Sequence, residues 1–92
     1  MRGIKRSDIL VVRCYMEDEM KRYAVELLKS AMNEFDGERE VACFIKNKFD
    51  SRYRTYWHCI VGKHFECSIE FEPTRFIYLK AKDLSVVLYR YS

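Results

Sequence analysis

The sequence predicts an α+β fold in which two helices pack on a mostly antiparallel sheet, in the order β-α-α-β-β-β-β. Helical patterns occupy the first half of the chain and strand patterns the second half, which is typical of this class. The 92 residues suffice for one domain with a modest core. The 15% aromatic content excludes a disordered chain. We expect residues 1–8 to form a flexible N-terminal tail and residues 9–92 a single domain.

A short strand and two helices are expected first. Residues 9–14 are a short run rich in β-branched side chains, which is typical of a strand. Apolar residues then recur every three or four positions over 16–35, which predicts a helix that Asp36 and Gly37 end. The same spacing over 41–53 predicts a second helix. Acidic residues near both helix starts suit the helix dipole.

Four strands are expected after the helices. Residues 57–61 form the first, and residues 65–71 show the clearest pattern, because apolar and polar side chains alternate over seven positions. Residues 76–81 and 84–91 complete the sheet. The connection at 82–83 lacks the glycine that a two-residue hairpin turn usually contains, so its geometry is left open.

The charge and the N-terminus limit the partners and the compartment. The 17 basic residues nearly balance the 14 acidic ones, so the sequence lacks the basic excess of a dedicated nucleic-acid binder. Residues 1–8 lack the apolar core of a signal peptide, and no uncharged stretch is long enough to span a bilayer. We therefore expect reduced cysteines in the cytosol, with neither nucleic acid nor membrane as a partner.

Two histidines and two cysteines lie close together in the sequence, at His58, Cys59, His64 and Cys67. Their spacing argues against zinc, because no Cys-x-x-Cys is present and the neighbours His58 and Cys59 should point to opposite faces of a strand. Cys59 should face an apolar interior, which raises the pKa of a thiol and makes it inert. We expect no metal, no cofactor and no enzymatic activity; a thiol or metal protein is the less favoured alternative.

The alternating segment 65–71 suggests a binding role. If this strand lies at a sheet edge, its free backbone groups can take up an extended peptide. The other interpretation is an inner strand that covers the core.

The run of residues 57–62 indicates the family. It reads Trp-His-Cys-Ile-Val-Gly and follows Phe49, Asp50 and Tyr53. It resembles the same run of the small dynein light chain family, where it follows Phe-Asp-Lys-Lys-Tyr. The alignment continues without a gap over about residues 13–92.

This resemblance implies a strand-swapped homodimer, in which residues 65–71 cross to the sheet of the second copy. Disordered partners such as the dynein intermediate chain then add a strand along that edge, commonly through a Gln-Thr motif. The implied role is a non-catalytic hub of microtubule-associated dynein complexes in the cytoplasm. The alternative within the family is a dedicated structural motor subunit with a weak or altered groove.

The resemblance also implies the site residues. The peptide groove corresponds to Glu38, Arg39, Val61, Lys63, Phe65, Cys67, Ile69, Phe71, Phe76 and Tyr78. The dimer contact corresponds to His58, Glu66, Ser68 and Glu70. Glu70 replaces a threonine of the family, and we expect it to meet His58 across the dimer axis. Lys80 replaces a tyrosine, and we expect it to change which peptides bind.

Overall fold

The computed structural model describes residues 3–54, 56–63 and 75–90. After a 3-10 turn at Arg6–Asp8, its elements are β1 (Ile9–Tyr15), α1 (Asp18–Glu34), α2 (Glu38–Tyr53), β2 (Trp57–Lys63), β3 (Arg75–Ala81) and β4 (Leu84–Arg90). The predicted class, with two helices packed on an antiparallel sheet, is confirmed. The predicted strand 65–71 lies outside the described residues.

Local chemistry explains where the helices begin and end. α1 starts with Asp18 and Glu19 in its first turn, where carboxylates stabilise the positive end of the helix dipole. At the start of α2, the backbone N–H of Gly37 donates a hydrogen bond to the Glu40 carboxylate at 3.2 Å. α2 ends at Tyr53, because the next residue, Arg54, has a left-handed φ of 81°. Neither described helix is long and apolar enough to cross a membrane.

The four described strands are ordered β1-β3-β4-β2, and every neighbouring pair is antiparallel. β2 extends past the expected end, because Gly62 stays paired with Ser85 and Lys63 with Leu84. β1 carries a bulge at Val12, where its register with β3 shifts. The turn between β3 and β4 forms without glycine, because Lys82 adopts a left-handed φ of 56°.

The main core lies between the helices and one face of the sheet, here called the inner face. Its largest fully buried side chains include Leu28, Met32, Ile45, Phe49, Trp57, Ile77, Leu79, Val86 and Leu88. Trp57 ties α2 to β2: its ring packs edge-on against Phe49 with centroids 4.7 Å apart. Its backbone N–H also donates to the Asp50 carboxylate at 3.2 Å.

The opposite, outer face of the sheet is apolar as well. Phe76, Tyr78 and Val87 form a separate buried cluster there, with Tyr89 packed against it. Both helices lie on the inner face, so the outer cluster belongs to the sheet's other side.

The segment before β1 packs against α1. Ile4 is 4% exposed and belongs to the main core. The Asn33 side chain of α1 holds its backbone in both directions: the Ile4 N–H donates to Asn33 Oδ1 at 2.8 Å, and Asn33 Nδ2 donates to the Ile4 carbonyl at 3.0 Å. The backbone N–H of Lys5 donates to Asp8, which lowers the pKa of that carboxyl. The buried Ile4 side chain and its two hydrogen bonds to Asn33 therefore hold this segment, predicted to be a flexible tail, against α1.

Because Ile4 is buried in the core, we expect its side chain to contribute to the stability of the fold. Ile4→Ala should lower the free energy of unfolding by about 2 kcal/mol, since it removes a buried side chain from the core. Leu10→Ala is the control, because Leu10 is 62% exposed and should change stability by less than about 0.5 kcal/mol. Urea unfolding followed by tryptophan fluorescence measures both. Equal, negligible effects would show that the segment is not docked.

Candidate functional site

A pocket of about 280 Å³ opens where α2 begins. It lies between the turn that joins the two helices, the end of β2 and the start of β4, and it is lined by Met32, Phe35, Glu38, Val41, Lys63 and Leu84, among others. The structure thus brings together two of the predicted groove residues, Glu38 and Lys63. The predicted neighbour Arg39 is exposed on the next position of α2 and is not among the lining residues.

The polar groups at this pocket are partly engaged already. The Lys63 ammonium lies 3.7 Å from Asp83 Oδ2, so the β3–β4 turn shares its charge. Glu38 is half-buried and has no ion pair with a described residue. Its carboxylate at the first position of α2 is placed to accept a hydrogen bond from a polar group that enters the pocket.

The remaining described groove residues are divided between the two faces of the sheet. Val61 lies on the inner face, in register with Val86 and Leu79. Phe76 and Tyr78 lie on the outer face, because alternate residues of a strand point to opposite sides. Within one chain, these three side chains do not form a single wall. Phe65, Cys67, Ile69 and Phe71 lie outside the described residues.

The outer face is organised as cross-strand rows. One row runs through Tyr15, Phe76, Tyr89 and His58, from β1 to β2. The His58 ring stacks on Tyr89 with centroids 5.2 Å apart, and Tyr15 tilts against Phe76 at 5.9 Å. The next row runs through Arg13, Tyr78, Val87 and Ile60.

The centre of this face is buried while its sides are open. Tyr15 is 59% and Ile60 52% exposed, and they stand on the two outermost described strands. His58 is exposed on the same face, where the resemblance placed a dimer contact. The other residues expected at that contact, Glu66, Ser68 and Glu70, lie outside the described residues. An apolar face with open sides is a surface to which another chain can bind.

The described part of the histidine and cysteine constellation is split by the sheet. His58 stands on the outer face, whereas Cys59 packs against the inner core. Burial raises the pKa of the Cys59 thiol to about 12, so it is protonated and unreactive at neutral pH. His64 and Cys67 lie outside the described residues, and the described ones hold no group of three possible metal ligands.

Sequence reasoning missed several contributors to these surfaces. Met32 and Phe35 were assigned to the core stripe of α1, yet they also line the pocket. Tyr15 had no assigned role, although it forms the open side of the outer face with Leu10. The bulge at Val12 decides which side chains of β1 reach that face, and no sequence signal marks this bulge.

Comparison with known proteins gives the family. The model of the family described as dynein light chain type 1 matches residues 8–91. This chain belongs to the dynein light chain family. A dynein light chain of Schistosoma mansoni is 36% identical over 75 residues, which covers 82% of this chain and 84% of the relative. The resemblance noted in the sequence is confirmed. Proteins of this family are generally structural or adaptor components associated with dynein motors and microtubules rather than enzymes.

Solved structures support the same fold at lower identity. The dynein light chain-like domain of the Fasciola hepatica calcium binding protein FhCaBP2 superposes with a TM-score of 0.78 at 23% identity, covering 100% of this chain and 99% of that one. The corresponding domain of CsTAL3 gives a TM-score of 0.77 at 13% identity, covering 90% and 92%. The dynein light chain fold is thus shared by all three.

Cys43 and Cys59 should differ in reactivity because only one of them is exposed. Cys43 is exposed on α2, whereas the Cys59 thiol has a pKa raised by burial. At pH 8, iodoacetamide should alkylate Cys43 more than about tenfold faster than Cys59, because the thiolate is the reacting form. Peptide mapping by mass spectrometry after timed quenching measures both rates in one sample. Unfolding in urea should remove the difference, and equal rates in the folded protein would contradict the placement of Cys59.

Proposed function

We propose that this dynein light chain is a non-catalytic homodimeric hub that binds short linear motifs of disordered proteins, such as the dynein intermediate chain, by strand addition. It would act in the microtubule-associated dynein complex of the cytoplasm. The observation that carries the proposal is the position of β2. Among the described strands β2 pairs only with β4, and its end at Lys63 lines the pocket where α2 begins.

The dimer is the first part of this proposal. An edge strand offers backbone N–H and C=O groups to a further strand. In the proposed dimer, residues 65–71 of a second copy pair along the open side of β2. The outer face supports such an arrangement, because Ile60 and His58 of β2 remain exposed beside the buried cluster.

Partner binding is the second part. An extended partner segment adds a strand next to the crossed one, and backbone hydrogen bonds supply affinity while pockets supply specificity. The pocket at the start of α2 then receives one partner side chain. A glutamine amide suits it, because the Glu38 carboxylate accepts a hydrogen bond and the surrounding Met32, Phe35 and Val41 exclude water.

Two copies of the site would make the protein bivalent. Two partner chains bound side by side are held at a high effective concentration for each other, so the protein would promote partner dimerisation without chemistry of its own.

The role of Glu38 can be tested by peptide binding. A fluorescein-labelled ten-residue peptide that contains Gln-Thr should bind the intact protein. Glu38→Ala should raise the dissociation constant of this peptide about tenfold or more, because the variant lacks a charged hydrogen-bond acceptor. Glu34→Ala is the matched control, because Glu34 is an exposed carboxylate at the end of α1 and is not among the pocket-lining residues. Fluorescence anisotropy titrations give the constants.

Each other outcome has a distinct meaning. Equal affinity of the intact protein and Glu38→Ala would remove Glu38 from the site. Absence of binding by this peptide and by several unrelated motif peptides would contradict the hub and favour a dedicated structural motor subunit.

A further inference from the structure

The half of the outer face formed by β1 and β3 carries two cations in a defined arrangement. Arg13 lies directly opposite Tyr78 in the register of β1 and β3. Lys80 is two residues further along β3 on the same face, and its ammonium lies 5.8 Å from the centre of the Tyr78 ring. The two cations are therefore diagonal neighbours across an antiparallel pair, a separation of about 7–8 Å between backbones.

These two side chains have no carboxylate within ion-pair distance among the residues that the structure describes. Cations nearby on the same strands or turns do have such partners. Arg75 Nη2 lies 2.8 Å from Glu17 Oε1, and Lys82 Nζ lies 3.7 Å from Asp8 Oδ1. Arg13 and Lys80 thus differ from these cations, because no carboxylate of the described residues compensates their charge.

Apolar side chains border the positive pair. Leu10 is opposite Lys80 in the register and 62% exposed, and Tyr15 is opposite Phe76 and 59% exposed. The other half of the face, on β4 and β2, includes His58, Ile60, Val87 and Tyr89. None of the described β4 and β2 residues on this face is a lysine, arginine, aspartate or glutamate. Charge and apolar area are therefore combined on one half only.

We propose that this β1–β3 half-face selects partner segments that carry two carboxylates two residues apart, with an aliphatic or aromatic side chain two residues before or after this pair. In an extended segment, side chains at alternate positions lie on one side and are separated by about 6.4–6.8 Å. This spacing matches the diagonal of Arg13 and Lys80, so one acidic side chain meets each cation. The apolar side chain two residues away lies on the same side of the segment and packs on Leu10 or Tyr15. The inference rests on the proposed function in one respect, that the partner is an extended segment.

The test uses the full chain and two labelled peptides that differ only in charge. The acidic probe is Thr-Val-Thr-Glu-Val-Glu-Val-Thr, and the neutral probe has glutamine at both glutamate positions. The acidic probe should bind about tenfold more tightly at about 50 mM salt, and about 500 mM salt should remove most of this difference, because exposed charges are screened. Arg13→Gln and Lys80→Gln should each lower the affinity for the acidic probe about threefold. The double variant should lower it about tenfold, and the affinity for the neutral probe should change little.

Two further variants separate charge from folding. Arg22→Gln removes the same charge from an exposed position on α1 and should leave both affinities unchanged. Lys80→Arg keeps the charge and should keep the preference for the acidic probe. Equal binding of the two probes to the intact protein, or equal effects of Arg22→Gln and Arg13→Gln, would overturn the inference.

The Gln-Thr peptide distinguishes this inference from the proposed function. If that peptide binds while the acidic and neutral probes bind equally, the hub stands and the selection of acidic segments is wrong. If none of the three peptides binds, the selection of acidic segments is wrong, and the hub is wrong as well if the unrelated motif peptides also fail to bind. If the double variant loses self-association in sedimentation experiments, a second copy of the chain occupies the half-face, and the inference is overturned in favour of that contact.

Discussion

The two central strands, β3 and β4, are apolar on both faces of the sheet, but both helices cover the same face. Ile77 and Leu79 of β3 point into the helix-covered core, whereas Phe76 and Tyr78 form the cluster on the outer face. The 92-residue chain has no third helix among its described elements to cover that face. The sides of the face stay open, with Tyr15 and Ile60 more than half exposed. The surfaces through which we propose that this protein acts follow from this imbalance.

The pocket follows from the way α2 is fixed on β2. The Trp57 ring packs against Phe49, and the Asp50 carboxylate accepts the Trp57 backbone N–H, so the end of the helix is held at the start of the strand. β2 then runs back along the helix. Its last residue, Lys63, reaches the first turn of α2, where Glu38 lies. Aromatic packing at one end of the molecule thereby positions a carboxylate and an apolar pocket at the other end, where the helix dipole is positive.

Much of the fold could be predicted because the spacing of apolar residues differs between helices and strands. Apolar spacing gave both helices, and the strands on either side of the Lys82 turn were found within one residue of their ends. Ile4 could not be predicted, because a single apolar residue in a polar run has no period, and its burial depends on an amide from α1. The sequence also did not show that Val61 lies on the inner face of the sheet while Phe76 and Tyr78 lie on the outer face. Residues 76–79 are all apolar, so no alternation marks which of them face the helices.

We propose that the half of the outer face formed by β4 and β2, together with the open side of β2, is the contact surface between two copies of this chain. Sedimentation equilibrium of the full chain at pH 7, without any peptide, measures whether two copies associate. We expect a dimer, with a mass near twice 11.2 kDa across the micromolar range. A mass of 11.2 kDa at every concentration would contradict it.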